Sequence, residues 1–86
     1  MKYVYVIQDV GNKESCYIGY TADLRKRIRQ HNQGESKYTS KAKWRLIYYE
    51  AYLDEKDARN RERKLKQDGR SRHLLMGRII NSRKTL

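Results

Sequence analysis

The sequence has 86 residues, enough for one small domain with a modest core, because a chain of this size buries only about 60–65% of its unfolded surface. It carries 21 lysines and arginines against 10 acidic residues, and the formal charge of +11 favours a polyanionic partner such as nucleic acid. No apolar stretch approaches a membrane-spanning helix, no secretory signal is visible, and the single cysteine excludes an internal disulfide, so we expect a cytoplasmic protein without membrane contacts.

The chain begins with two predicted strands. Alternating β-branched and aromatic residues favour a strand over residues 2–8 and a second over residues 15–20. Between them, Gly11 and Asn12 are typical of a hairpin loop. A third strand is predicted later in the chain, over residues 44–52, where apolar and aromatic residues cluster again.

A first helix is predicted between the second and third strands, over residues 22–33. Thr21 stands where an N-cap belongs, and the acidic Asp23 suits the positive end of the helix dipole. Gly34 is the expected stop. A polar, basic loop follows the glycine.

Two more helices are predicted after the third strand. Asp54 caps the first of them, which runs to about residue 68 and ends at Gly69. A weaker helix follows over residues 70–81, and residues 82–86 are expected to form a C-terminal tail.

The element order is therefore β-β-α-β-α-α, in one domain over residues 1–81. Three strands cannot form a stable core in water by themselves, so the helices must pack on the sheet. The sequence predicts an α+β fold: a small three-stranded antiparallel sheet flanked by helices.

The first helix carries polar residues where core residues belong. Leu24 and Ile28, four apart, define its apolar stripe, and Arg27 and His31 fall on the same stripe. Because an unpaired buried charge is costly, these side chains must either pair inside the fold or line a cleft.

The second helix shows the same anomaly with the opposite charge. Glu62 lies between Ala58 and Leu65 on the apolar face. Strand alternation lets Tyr5 and Tyr17 point to one face of the sheet. Two tyrosines, an arginine and a glutamate from four elements are therefore expected to converge.

This set suits phosphodiester hydrolysis. An arginine fork matches phosphate geometry, one carboxylate with waters and a phosphate oxygen can hold Mg²⁺, and a phenol beside a cation can act as a base. No cluster of several acids is present, which argues against a two-metal site. Taken singly, each residue also fits ordinary packing or a helix ion pair; their joint pattern favours a site.

Several motifs in order resemble the GIY-YIG nuclease signature. The signature strands are matched by residues 3–5 and 17–19, although Tyr3 replaces the first glycine. Further matching segments follow along nearly the whole chain: Thr21-Ala22-Asp23-Leu24 leading to Arg27, His31-Asn32 with Gly34, and Ala58 with Arg61-Glu62 and Leu65-Lys66. The chain is most similar to the short, single-domain bacterial branch of this family, whose catalytic domain also occurs in the excision-repair nuclease and in homing endonucleases.

The resemblance implies a metal-dependent DNA endonuclease with one Mg²⁺ or Mn²⁺ ion. It implies that Tyr17 activates water, that Tyr5 orients the water or phosphate, and that Arg27 stabilises the transition state. It also implies that His31 assists proton transfer and that Glu62 binds the metal. Gly19 and Asn81 are expected to support the site.

The surplus of basic residues is expected to contact the nucleic-acid backbone without reading sequence. The candidate contacts are Lys26, Lys37, Lys41, Lys43, Arg63, Lys66 and Arg70. We expect duplex or branched DNA as substrate, together with low sequence specificity, structure selectivity, or dependence on a protein partner or on a homodimer. Two alternatives remain open: a non-catalytic nucleic-acid-binding module on the same fold, and a small basic RNA-associated protein.

Overall fold

A computed structural model describes residues 1–34 and 42–85. Its sheet has three antiparallel strands, β1 (Lys2–Asp9), β2 (Asn12–Thr21) and β3 (Trp44–Tyr52), in the order β2-β1-β3. This confirms the predicted sheet. β2 starts three residues earlier than predicted, because the hairpin is tight and pairs Asp9 directly with Asn12.

Four helices complete the described part of the chain. They are α1 (Leu24–Asn32), α2 (Glu55–Gln67), α3 (Gly69–Arg78) and the short α4 (Ile80–Lys84). The predicted α+β class is confirmed. Among the described residues, no helix is both long and apolar enough to cross a membrane.

The start of α1 differs from the prediction. Thr21 is the last residue of β2, and Asp23 is the N-cap, because its carboxylate accepts the backbone N–H of Lys26 at 3.1 Å. The Thr21 hydroxyl accepts the N–H of Asp23 at 3.1 Å instead, which holds the turn between strand and helix. The predicted cap at Asp54 is confirmed, since its carboxylate accepts the N–H of Lys56 at 2.7 Å.

The boundary between α2 and α3 also lies one residue from its predicted place. Gly69 does not end α2; it is the first residue of α3. The break falls on Asp68, whose carboxylate accepts the backbone N–H of Arg70 at 3.0 Å and caps α3. The sequence pattern places this aspartate at the end of the preceding helix, so its role as an N-cap is a new feature of the structure.

The third predicted helix is divided in two. Ile79, with φ −104° and ψ 25°, separates α3 from α4. Residues 82–84, assigned to a tail in the sequence analysis, belong to α4. The fully buried Gln8 ties α4 to the sheet, since its side-chain amide donates to the backbone carbonyl of Arg83 at 2.8 Å and accepts from Arg45 at 2.8 Å.

The two faces of the sheet carry different cores. Val4 and Val6 pack on one face with α2, α3 and Ile18. Tyr5 and Ile7 pack on the opposite face with Trp44 and α1. Cross-strand pairing then decides which β2 residues join Tyr5 on the α1 face; they are Gly19, opposite Tyr5, and Tyr17, opposite Ile7.

One side chain links the end of α1 to the start of β3. The amide of Asn32 donates to the carbonyl of Trp44 at 2.9 Å and accepts its N–H at 2.6 Å. This pair of hydrogen bonds fixes the C-terminal end of α1 against the sheet and so helps to position the helix face that carries Arg27 and His31.

Candidate active site

The centre of the candidate site is a buried pair between β1 and α1. The Tyr5 hydroxyl lies 2.7 Å from Nε2 of His31, and the side chains are 1% and 0% exposed. His31 is therefore on the packed face of α1, as predicted. Because its ring is enclosed, it can act on a bound molecule only through its neighbours.

Gly19 creates the space that the Tyr5 ring occupies. The two residues are direct cross-strand partners, and a Cβ at Gly19 would overlap the hydroxyl and Cζ of Tyr5. Gly19 is predicted from the sequence to support the site, and in the structure this glycine admits the side chain of Tyr5.

Tyr17 continues the cluster towards α2. Its ring packs edge-on against His31, with centroids 5.3 Å apart. On its other side, the Lys66 ammonium lies 5.2 Å from the ring centroid of Tyr17 and 3.1 Å from the Glu62 carboxylate. Tyr17 is half-buried, so it connects the enclosed Tyr5–His31 pair with solvent and with the charged side chains of α2.

Arg27 supplies positive charge to the same cluster. The side chain is half-buried and donates to the Gln30 side chain at 3.3 Å. Burial raises the pKa of Tyr5, Arg27 opposes that rise through its side-chain interaction and its charge, and the charge of Glu62 adds to it. Burial lowers the pKa of His31, and the charge of Arg27 adds to that effect. The structure therefore brings together Tyr5, Tyr17, Arg27, His31 and Glu62, the candidate catalytic residues, and we call this group the catalytic cluster for that reason.

Burial keeps the central pair uncharged. Desolvation raises the pKa of Tyr5 to about 12 against the opposing effect of Arg27. Desolvation, assisted by the charge of Arg27, lowers the pKa of His31 to about 4. At neutral pH the hydrogen bond between them joins a neutral phenol to a neutral imidazole.

The low pKa of His31 predicts a pH-dependent loss of stability. Between pH 6.5 and about 4 the unfolded chain binds a proton at His31 that the folded chain does not, so acidification through this window favours unfolding. We expect this group to contribute about 2–3 kcal/mol across the window. Chemical denaturation at a series of pH values measures the slope of the unfolding free energy.

His31→Gln should flatten that slope, and the exposed His73 provides a matched control. His73→Ala should keep the wild-type slope. If the His31→Gln variant loses stability on acidification as steeply as the wild type, the low pKa of His31 is not the cause of the pH dependence.

A second polar network lies on the other face of the sheet and was missed in the sequence analysis. The Glu50 carboxylate of β3 accepts the Arg61 Nε–H, which its two oxygens share at 2.9 and 3.1 Å, and an Arg61 Nη2–H at 3.0 Å. It also accepts the hydroxyls of Tyr48 and Tyr52. Burial acts to raise the pKa of Glu50, but these hydrogen bonds outweigh it and lower the pKa. This glutamate is fully engaged in holding α2 to β3.

Glu62 differs from Glu50 in being available to a metal ion. Within the described part of the chain its carboxylate pairs with Lys66, one turn along α2, in a partly exposed contact of the kind that contributes only a few tenths of a kcal/mol. Among the described residues, no three His, Cys, Asp or Glu side chains cluster as a metal site. One carboxylate fits Mg²⁺, which commonly keeps several waters and takes oxygens from a bound phosphate.

Of the remaining predicted residues, Lys66 contacts Tyr17 and Glu62 of the cluster, whereas Asn81 does not reach it. Asn81 is exposed on α4, which packs on α3 and β3, and the structure does not bring it to the Tyr5–His31 pair. Lys37 and Lys41 fall outside the described residues. The other predicted backbone contacts are exposed or half-buried on several elements: Lys26 on α1, Lys43 before β3, Arg63 and Lys66 on α2, and Arg70 on α3.

A sequence model of the GIY-YIG catalytic domain matches residues 1–75, and the chain belongs to that family. The family assignment agrees with the resemblance given by the sequence motifs.

Similar proteins support the assignment at the level of sequence and fold. A UPF0213 protein of Clostridium perfringens is 37% identical over 76 residues, which cover 86% of this chain and 80% of the relative. The solution NMR structure of a UPF0213 protein from Bacillus halodurans superposes with a TM-score of 0.51 at 30% identity, covering 87% of this chain and 83% of that one.

Another relative, which matches a shorter segment, is named for its activity. A structure-specific endonuclease subunit SLX1 homologue of Drosophila mojavensis is 39% identical over 44 residues, which cover 45% of this chain and 14% of that protein. The shared segment is therefore a small part of a much longer chain.

Proposed function

We propose that this protein is a metal-dependent endonuclease that hydrolyses DNA phosphodiester bonds at the catalytic cluster. The observation that carries the proposal is the convergence of a phenol, an arginine and a lightly engaged carboxylate, contributed by β2, α1 and α2, around the buried Tyr5–His31 pair. Membership of the GIY-YIG family supports the same activity.

Arg27 and Glu62 carry the charges that the reaction requires. The Arg27 guanidinium donates to the Gln30 side chain of its own helix and also interacts with the Tyr5 hydroxyl, and its planar fork suits the oxygens of a phosphate bound beside that hydroxyl. Glu62 would hold the divalent cation with one carboxylate. When bound, Mg²⁺ or Mn²⁺ supplies Lewis acidity and lowers the pKa of water.

The two tyrosines are suited to different roles. A Tyr5 pKa of about 12 keeps its hydroxyl protonated at neutral pH, so Tyr5 is suited to orient water or phosphate and poorly suited to be the base. Tyr17 is half-exposed beside Glu62 and Lys66, and we assign it the activation of water. His31, being enclosed, positions the Tyr5 hydroxyl and reaches the substrate only through it.

DNA is the substrate that the family and the charge favour. A net charge of +11 gives strong, salt-sensitive attraction to a phosphate backbone, whereas no described element presents a row of base-reading side chains. We therefore propose low sequence specificity with selection of DNA structure, and the SLX1-like segment supports that selection. A protein partner or a homodimer would supply further targeting.

The two alternatives make different predictions. A non-catalytic binding module would bind DNA without cutting it, although it would have no need of the buried Tyr5–His31 pair beside Arg27 and Glu62. An RNA-associated protein would prefer single-stranded or structured RNA to DNA of the same length, with bases stacked on exposed aromatic rings.

The experiment that tests the proposal is cleavage of plasmid, duplex, flap and branched DNA, with structured RNA as competitor. We expect cutting in Mg²⁺ or Mn²⁺, none in chelator, and little inhibition by RNA. Binding measured in chelator should persist and weaken steeply with salt. Binding without cutting on every substrate in either metal would favour the non-catalytic module, and preferential RNA binding would favour the RNA-associated protein.

A further inference from the structure

A groove follows the open edge of β2. It has a volume of about 750 Å³ and lies between this strand and the helices α2 and α3. β2 is an edge strand in the order β2-β1-β3, so no neighbouring strand of the described sheet covers this side. We call this the β2-edge groove; the volume is in the range of sites that bind small molecules or single nucleotides.

The walls of the β2-edge groove are basic. Lys66 of α2, Arg72 of α3 and Arg83 of α4 carry the positive charges, and His73 adds a ring that can be protonated. Glu14 is the single acid in the lining among the described residues. The Arg72 side chain is held by Nη1, which donates to the carbonyls of Leu65 at 3.3 Å and Lys66 at 3.2 Å. The groove is therefore complementary to phosphate.

The floor of the same groove is apolar. It consists of Cys16 and Ile18 of β2 with Met76 of α3. A duplex presents phosphates outward and keeps its base faces stacked inside, so it has nothing to place on such a floor. An unpaired strand offers phosphates and base faces together, which matches basic walls above an apolar floor.

The groove leads into the catalytic cluster. Tyr17 and Lys66 line it, and both belong to the surroundings of Glu62. Side chains alternate along a strand, so Tyr17 lies on the face opposite to Cys16 and Ile18, and the lining wraps around the edge of β2. A strand lying in the groove would therefore have one end beside Tyr17.

We propose that the β2-edge groove binds an unpaired segment of the DNA substrate next to the phosphate that is cut. The inference rests on the proposed function and names its substrate class: duplexes with a single-stranded tail, flap or displaced strand. A plain blunt duplex would contact the catalytic cluster without occupying the groove.

The first test measures binding in chelator, so that its outcome does not depend on cleavage. Fluorescence anisotropy compares a tailed duplex with a blunt duplex of equal length for the wild type, Arg72→Ala and His73→Glu. Arg78→Ala is the matched control, since Arg78 is exposed on α3 outside the groove lining. His73→Glu is informative even if loss of Arg72 disturbs the end of α2, because His73 is exposed at the protein surface.

We expect the wild type to prefer the tailed duplex by about tenfold, and both groove variants to lose most of that preference. Arg78→Ala should weaken both complexes equally, through lost attraction to phosphate. Equal binding of tailed and blunt duplexes by the wild type would overturn the proposal, as would groove variants that weaken both complexes to the same degree.

A second test uses Cys16, the only cysteine of the chain, as a probe in the groove floor. A tail carrying a base with a tethered mixed disulfide should react with Cys16 when the tether is within the first unpaired nucleotides, because the Cys16 thiolate attacks the disulfide and releases its small outer thiol. The control places the cysteine outside the groove, in Cys16→Ser combined with Arg78→Cys. Trapping that is equal for the two proteins, or independent of the position of the tether in the tail, would contradict the proposal.

The two proposals fail in different ways. If the protein proves not to cut DNA, preferential binding and trapping of the tail would still support the groove as a single-strand site. If the protein cuts blunt and tailed duplexes equally and traps no tail, the endonuclease stands and the inference about the groove is wrong.

Discussion

Replacing Glu62 by glutamine is expected to lower the rate of DNA cleavage at least ~100-fold while leaving the fold intact. Glutamine keeps the shape of the side chain but removes the charge that we assign to metal binding. The ion pair with Lys66 is partly exposed and lies within one helix, so its loss should change the free energy of unfolding by less than ~0.5 kcal/mol. Single-turnover cleavage and denaturant unfolding measure the two effects separately.

Glu55→Gln is the matched control for this change. Glu55 is also on α2, and it pairs with Arg59 four residues later at 3.2 Å in the same kind of exposed contact. It lies in the first turn of the helix, outside the catalytic cluster. Equal loss of cleavage in the two variants would show that α2 needs its negative charge in general, and would remove Glu62 from the proposed metal site.

Arg27→Lys tests the side chain that we assign to binding the phosphate oxygens. Lysine keeps the positive charge but loses the planar fork, so we expect cleavage to fall less than for Glu62→Gln but still by more than about tenfold. Arg25→Lys, on the exposed side of α1, should cleave at the wild-type rate. If the Arg27→Lys variant cleaved DNA at the wild-type rate, Arg27 would contribute only its positive charge and not the planar fork of its guanidinium.

The helical part of the site could be predicted from the sequence because it depends on local periodicity. Ala58 and Leu65 are both fully buried, and the half-buried Glu62 lies between them. The same reasoning placed His31 on the packed face of α1, where it is fully buried. Spacing along one helix fixes which residues share a face, whatever the rest of the fold does.

The contacts between elements could not be predicted in this way. The bond from Tyr5 to His31 joins residues 26 positions apart and depends on how α1 docks on the sheet. The β2-edge groove likewise depends on the angle between α2, α3 and the strand. The sequence indicated which residues are chemically useful, but the distances between them are set by tertiary packing.

The hydrogen-bond network around Glu50 could have been predicted from a local pattern in the sequence of β3. Tyr48, Glu50 and Tyr52 alternate along β3, and alternate residues of a strand point to one face. An acid between two hydroxyl-bearing rings on one face needs a basic partner, which is Arg61 of α2. The apolar and aromatic residues of β3 predict a strand, and the partner of Glu50 follows only when the alternation of Tyr48, Glu50 and Tyr52 is considered as well.

Gly19→Ala is expected to destabilise the protein and to abolish cleavage together. A Cβ at this position would overlap the Tyr5 hydroxyl and Cζ, and Tyr5 is almost fully enclosed, so the ring can move only by disturbing its surroundings. Overpacking of this kind costs about 1–3 kcal/mol, and loss of the bond to His31 adds to it. Denaturant unfolding and cleavage rate measure the two consequences.

Gly77→Ala is the matched control, because a Cβ at Gly77 meets no atom within 4 Å and the residue lies inside α3. Helix propensity should make that variant more stable, by about 0.5–1 kcal/mol, with unchanged cleavage. If Gly19→Ala retained wild-type stability and activity, the Tyr5 ring could not be packed over Gly19 as the structure places it.

A double variant separates the packing role of Gly19 from its role in the site. Tyr5→Leu shortens the side chain opposite residue 19 and should relieve the overlap, so adding it to Gly19→Ala is expected to recover part of the lost stability. Cleavage should stay absent, because leucine has no hydroxyl to orient water or phosphate. Recovery of stability without cleavage would show that this glycine is required by the tyrosine ring, and that the tyrosine is required by the chemistry.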